Sequence, residues 1–343
     1  MDNRVRIALD AMGGDNAPSE IVKGAVLAAG SRKDVKIFLA GREDLVRGEL
    51  SKYSYPEDQI EIVPCSEVIE MAEHPVSAIR RKKDSSMVVG MKMVHEGTAD
   101  AFVTAGNSGA VLVGGQIIVG RLKGVERPPF ATVLPTEKGI SLLLDCGANV
   151  DARPSHLVQF ARMGSIYMEH VLGVHEPKVG IVNIGAEEEK GNALVKETFP
   201  LLRECPDINF TGSCEARDIP AGACDVIVAE GFAGNIILKM YEGSAKTLLK
   251  AIKAALMSTL SSKIGAVLIK PALKSVLKKY NADQYGGAPM LGLRGLVVKA
   301  HGNAKADVIR ICIDQCVKFN EQKIGEKILE KFSAGNPEEG DPS

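Results

Sequence analysis

The run Asp10 to Pro18, DAMGGDNAP, sets two glycines between two carboxylates directly after the apolar stretch Val5 to Leu9. Gly13 and Gly14 let backbone come close to a ligand, and Asp10 and Asp15 are placed to orient donors beside it. In open α/β sheets, ligands gather at the carboxyl ends of strands, where such loops leave the sheet. The same run also fits a plain connecting turn. Thr104 to Ala110, TAGNSGA, follows Ala101-Phe102-Val103 and enters an apolar helix pattern. Amides at that helix start, with Asn107, Ser108 and the flanking Gly106 and Gly109, suit an anion. A simple helix cap is the other reading. Lys190, in the run Glu187 to Asn192, is placed to pair with an anion or with charge developing on a carbonyl oxygen. A solvated charged turn is its plainer alternative. Glu230 to Asn235, EGFAGN, ends another apolar run, and His301 heads HGNAKAD. A lone His-Gly commonly packs or caps, and by itself points to nothing more.

Two further runs belong with these, DCGAN (Asp145 to Asn149) and YGGAPMLGLRG (Tyr285 to Gly295). In chain order the seven loops closely resemble the phosphate acyltransferases of the PlsX family, from Arg6 to about Gln322. Those enzymes make acyl phosphate from acyl carrier protein thioesters and inorganic phosphate at the entry to bacterial phospholipid synthesis. The resemblance implies catalytic roles for Lys190, Asn107 and His301. It implies substrate or phosphate contacts for Asp10, Gly13, Gly14, Asp15, Gly106, Ser108, Gly109, Asn149, Asn192, Glu230 and Asn235. It implies no cofactor and no metal. The chain departs from the family pattern in places. Ser108 replaces a threonine of AGNTGA and keeps the hydroxyl, whereas EGFAGN stands for DGFVGN with a longer Glu230 and a smaller Ala233. FTGSCEARD (Phe210 to Asp218) matches GNVEGRD imperfectly, with Ser213 for Asn and Ala216 for Gly, and keeps Glu215, Arg217 and Asp218 as an expected ion-pair cluster.

Such a transfer needs phosphate held as an oxyanion, a polarised thioester carbonyl, and the two brought into line. Phosphate is already largely dianionic near neutral pH, so neither a strong general base nor a covalent intermediate is required. The lack of a GxSxG elbow or a Ser-His-Asp order agrees with this.

These loops must be carried by a scaffold. Apolar runs at Val35 to Ala40, Ile60 to Val63, Ala101 to Val103, Ser141 to Leu144, Val179 to Ile184 and Val226 to Val228 alternate with helix-like segments. The beat predicts a three-layer αβα sandwich on a mostly parallel sheet, Rossmann-like and, by family resemblance, isopropylmalate dehydrogenase-like. Ala131 to Pro135 and Ser141 to Leu144 read as an antiparallel hairpin within it. With no low-complexity linker and no repeat, residues 1–333 read as one α/β domain with an inserted subregion, followed by a disordered tail at 334–343. The subregion, 240–283, reads as a projecting helical hairpin. Nine lysines and one acid, Glu242, fall between Lys239 and Lys279. Ser261-Ser262 and Gly265 are expected to break it, Pro271 to start its second helix, and Ile264 to Ile269 to form an apolar tip. A dimer arm or core helices is one reading, and a membrane-surface element the other, since basic amphipathic helices bind anionic lipid.

Composition sets outer limits. Hydrophobic residues make up 45% and charged residues 25%, ordinary for a globular enzyme. The net charge of −1 gives no global field favouring nucleic acid, and 4% aromatics with no tryptophan offer few stacking surfaces. Seven cysteines without a CxxC read as reduced thiols, with Cys312 and Cys316 four apart on a helix as packed residues. No secretory segment and no bilayer-length apolar run is apparent, so a cytoplasmic protein in peripheral membrane contact is expected. Expected partners are acyl carrier protein, inorganic phosphate, a second copy of the chain, and a membrane glycerol-3-phosphate acyltransferase. The basic run Arg80 to Lys83 is either a solvated face or a dock for the acidic carrier. The alternatives are an NAD-linked β-decarboxylating dehydrogenase and a non-catalytic lipid-surface scaffold. The first lacks a GxGxxG and a convincing metal cluster here, and the second leaves the seven loops unused.

Overall fold

The computed structural model describes residues 4–333, so the expected tail at 334–343 lies outside the described residues. Backbone contacts divide the chain into two compact units, where the sequence pattern suggested one domain with an insertion. The first comprises residues 4–132, 166–175 and 283–333, the second 133–165 and 176–282. Both are built from segments distant in sequence, which is why no linker composition marks the boundary.

The chain opens with β1 (Val5–Asp10), α1 (Ser19–Ser31), β2 (Val35–Gly41), α2 (Glu43–Leu50) and β3 (Ile60–Pro64). There follow α3 (Pro75–Arg81), α4 (Ser86–His95), β4 (Ala101–Thr104) and α5 (Ser108–Gly114). Next come β5 (Ala131–Thr136), β6 (Gly139–Leu144), α6 (Pro154–His170), β7 (Lys178–Asn183), α7 (Ala193–Arg203), β8 (Asn209–Glu215) and β9 (Val226–Val228). Two long helices, α8 (Gly231–Leu256) and α9 (Leu260–Lys279), precede β10 (Ala288–Met290), β11 (Leu296–Lys299), α10 (Ala306–Glu321) and α11 (Ile324–Ser333).

The parallel strands thus form two sheets rather than one. The first unit holds the order β10-β11-β4-β1-β2-β3, parallel except for β10 against β11. Its core strands are continuous apolar runs because helices cover them: Ile7, Leu9, Ile37, Leu39 and Val103 are fully buried. Each such side chain contributes on the order of 1.5–3 kcal/mol of burial. Gly24 on α1 lets α10 close in, since a Cβ there would lie 2.6 Å from the Ile309 Cβ. The second sheet has the order β5-β6-β9-β7-β8, with β6, β9, β7 and β8 parallel. The two-residue connection from Thr136 to Gly139 makes β5 and β6 the expected antiparallel pair.

The helical hairpin of the second unit differs in detail from its sequence reading. The break falls at Met257 to Thr259, and α9 runs through Ser261, Ser262, Gly265 and Pro271. Thr259 explains the shift. Its hydroxyl accepts from the Ser262 amide at 3.1 Å while the Ser262 hydroxyl accepts from the Thr259 amide at 3.0 Å. Serines that looked like breakers therefore start a helix. Ile264 to Ile269 consequently lies on α9, just past the turn, and not at the tip itself.

Candidate functional site

In the first unit β11, β4 and β1 are neighbours, with Lys299 level with Thr104 and Val103 level with Leu9. Their carboxyl ends therefore deliver the loops after Asp10, Thr104 and Lys299 to one sheet edge. Asp10 is buried there, accepting from the Ser86 hydroxyl at 2.6 Å, the Thr104 hydroxyl at 2.7 Å and the Met12 amide at 3.2 Å. Burial pushes its carboxyl up from the ordinary range, and these donors pull partly back. Thr104 is used twice, since its hydroxyl also accepts from the Gly106 amide at 2.9 Å. Gly13 is jammed against this cluster: a Cβ would sit 2.4 Å from the Asp10 Oδ2. Gly14 has a φ of +96° and faces the Gly302 carbonyl. Asp15 is exposed, but its amide donates to that carbonyl at 2.8 Å, and Asn16 Nδ2 donates to the Asn303 carbonyl at 3.0 Å. The loops after β1 and β11 are stitched together.

Asn107 is nearly buried and fully engaged. Its Oδ1 caps α5 by accepting from the Ala110 amide at 3.0 Å, while Nδ2 donates to the Met71 and Glu73 carbonyls at 3.0 Å and to Glu70 at 3.3 Å. It fixes the loop in place. Ser108 is left exposed at the helix start, and Gly109 packs so tightly on Pro75 that a Cβ would lie 2.4 Å from its Cγ. His301 is exposed at the start of a turn closed by the Ala304 amide. The edge continues past β2 and β3 into an open cleft of about 750 Å³ lined by Arg42, Arg47, Cys65, Ser66 and Asp84.

The second unit repeats the arrangement with β6, β9 and β7 side by side. Asp145, fully buried, accepts from the Asn149 amide at 2.5 Å and from Asn149 Nδ2 at 3.0 Å. The Asn149 carbonyl accepts from the Gly231 amide at 2.8 Å, which ties the loop after β6 to the start of α8. Gly231 and Gly234 permit this contact, because a Cβ at Gly234 would lie 1.9 Å from the Asp145 carbonyl. Glu230 caps α8 itself, accepting from the Phe232 and Ala233 amides at 2.5 and 2.9 Å. Asn235 stands over Gly147, and Asn192 caps α7 through the Val195 amide at 2.9 Å. Lys190 lies on an exposed turn after β7, paired with Glu187 at 2.7 Å, and that carboxylate raises its pKa. Arg217 pairs with Glu215 at 3.1 Å and approaches Asp218 at 3.9 Å, as expected from FTGSCEARD, and Ser213 accepts from Asn183 Nδ2 at 3.0 Å.

Residues 5–327 match a family model described as "Fatty acid synthesis protein". Over 330 residues the chain is 50% identical to a phosphate acyltransferase of Alkaliphilus oremlandii, covering 96% of this chain and 98% of that one. It is 48% identical to one of Clostridium botulinum, covering 97% and 100%. The chain belongs to the phosphate acyltransferase family.

Among solved structures, the EutD phosphotransacetylase of Staphylococcus aureus has a TM-score of 0.58 at 17% identity over 92% of this chain and 94% of that one. A phosphotransacetylase from Streptococcus pyogenes has 0.59 at 16%, covering 92% and 93%. These likenesses show the α/β fold alone. Four polar residues of this phosphate acyltransferase carry no separate signal in its sequence. Thr104 and Asp145 sat inside the loop runs as strand-end residues, and their type and place were the available signal. Ser86 follows the basic run Arg80 to Lys83 with nothing in its surroundings to mark it. Of that run, Lys82 is tied down, pairing with Glu73 at 2.5 Å and donating to the Val68 carbonyl. Lys299, immediately before Ala300 and His301, is one lysine among many at a strand end.

Proposed function

We propose that this phosphate acyltransferase moves a fatty acyl group from an acyl carrier protein thioester to inorganic phosphate, reversibly, releasing carrier thiol and acyl phosphate. A phosphate oxygen attacks the carbonyl carbon, the oxyanion collapses, and the C–S bond breaks with the sulfur taking up a proton. The observation that carries this reading is the convergence, within each unit, of glycine loops on one sheet edge, in a chain matched over 96% and 97% of its length by two phosphate acyltransferases. Buried Asp10 and Asp145 hold those loops rigid, so their donors need little reorganisation during reaction. Lys190 is the proposed cation for the developing oxyanion. Its exposed pair with Glu187 is weakly held and easily exchanged for a substrate oxygen. Asn107 acts by positioning, and His301 and Ser108, both exposed, touch substrate from the solvent side in this reading.

The test is to mix the protein with long-chain acyl carrier protein and phosphate and to measure acyl phosphate, trapped as hydroxamate, against free carrier thiol. Equal appearance of both is expected. Thiol release without acyl phosphate would make the protein a thioesterase and overturn the reading.

Membrane contact through α8 and α9, by a dimer presenting two hairpins, belongs to the same proposal. No helix among the described residues is long and apolar enough to cross a membrane. Support for surface contact comes from Leu260, Val267 and Leu268, each at least 70% exposed among the lysines of α9.

A further inference from the structure

Lys299 ends β11, beside β4 on the first unit's loop edge, level with Thr104. It is half-buried, and no carboxylate pairs with it among the described residues. Its Nζ donates to the backbone carbonyls of Ala105 and Ala300, the first residues of the loops that leave β4 and β11. The charged groups acting on it from the packed elements are Asp10 on β1 and Asp15 in the following loop, with Cys312 on α10 itself pushed up to about 12 by burial. An ammonium taken out of water is normally paired or compensated by further hydrogen bonds. Here neutral carbonyls take two of its three N–H donors, which leaves one for a further acceptor. The loops it bridges carry glycines, Gly106 after β4 and Gly302 after β11, and the Asp15 amide ties the second of them to the loop after β1.

We propose that Lys299 is the anchor of the phosphate substrate, holding the dianion before attack at the edge where the loops after β1, β4 and β11 meet. The proposal rests on the reading of the chain as a phosphate-using acyltransferase, and it gives the ground-state phosphate contact to a residue other than Lys190. Lys299 is a binding residue in this scheme, with the carbonyls of Ala105 and Ala300 aiming its ammonium.

The charge requirement gives a pH signature. Burial holds the free-enzyme ammonium down to about 8. It is charged below that pH and neutral above. Phosphate only becomes more fully dianionic as pH rises, so weakening of phosphate capture above about pH 8 must come from the protein.

Three measurements test this on the full chain. Lys299→Gln keeps a donor for the carbonyls but has no charge. It should raise the KM for phosphate roughly 10- to 100-fold, the worth of one charge-assisted bond, with the thioester KM within about two-fold. Inorganic phosphate alone should raise the melting temperature of the wild type and not that of Lys299→Gln. Lys299→Arg, always charged, should lose the fall in kcat/KM for phosphate that the wild type shows above about pH 8. An unchanged phosphate KM in Lys299→Gln, or both KM values rising together, overturns the assignment. So does a wild-type kcat/KM for phosphate that stays flat to about pH 9.5, a result available even if the variants do not fold. Lys299-dependent stabilisation by phosphate in a protein that makes no acyl phosphate would keep this site and reject the proposed function.

Discussion

A Cβ on Gly13 would meet the Asp10 carboxylate at 2.4 Å, the Gly106 amide at 2.8 Å and the Thr104 hydroxyl at 2.8 Å. Backbone and a buried carboxylate give way poorly, so Gly13→Ala is expected to cost about 1–3 kcal/mol of overpacking and to displace both loops. Turnover should fall by more than the stability loss accounts for. Gly265→Ala is the control, because a Cβ there meets nothing and the residue is helical. It should stabilise by up to about 1 kcal/mol. Thermal melts and initial rates on the two variants check this, and equal rates in both would remove the Asp10 cluster from the mechanism. Lys190 belongs to another kind of effect. If it stabilises charge only as the carbonyl oxygen develops it, Lys190→Ala should lower kcat by roughly 100- to 1000-fold with little change in the phosphate KM. A fold-intact variant with near-normal kcat would reduce Lys190 to the surface pair it makes with Glu187.

At the scale of elements, strands alternating with helices place six of the seven loops at carboxyl ends, the run Tyr285 to Gly295 around antiparallel β10 being the exception, and small residues set how closely neighbours approach. The α8–α9 hairpin departs from that design. Leu260, Ile264, Val267, Leu268 and Ile269 remain exposed on a helix that buries no residue completely. Insertion of such side chains into an interface is worth on the order of 1.5–3 kcal/mol each, enough for reversible attachment by a handful. Val267→Glu with Leu268→Glu should therefore abolish sedimentation with anionic liposomes and leave activity on soluble carrier substrate within about two-fold, far less than full loss of an oxyanion contact. Normal sedimentation of the double variant would show that the segment is no anchor. Inactive monomers would make the hairpin a dimer arm.

For the molecule as a whole, the seven cysteines report how the chain is closed. Cys65, Cys214, Cys224, Cys312 and Cys316 are buried, and only Cys146 and Cys205 are partly accessible. The thiolate is the reactive form, and burial pushes Cys65 and Cys312 up to about 12. Cys205 is raised to about 11, by burial first and then by its bond to Asp207. Titration of the native protein with a disulfide reagent at neutral pH should therefore find Cys146 quickly and Cys205 slowly. All seven should react after denaturation. Rapid reaction of the buried five in the native state would contradict the packing of both cores.

Much was legible in the order of residues alone. Strand-ending loops carry their own signature, because glycine, asparagine and aspartate act through local backbone freedom and local hydrogen bonds. Hence the strands, the seven loops, the family, and the ion pairs around Arg217 could be read before any coordinates. Burial and partnership are not local. Asp10 reaches Ser86 across 76 residues and Thr104 across 94, so the sequence could place an aspartate in a loop but could not say what holds it. The same limit hid the division into two sheets, because strand order is set by which apolar faces find each other across the chain. It also made Ser261 and Ser262 look like breakers until Thr259 was seen to cap the helix they begin. Lys299 resembled any lysine at the end of a strand. Only the packing of β11 beside β4 takes its ammonium partly out of water without giving it a carboxylate, and that is what makes it a candidate anion site.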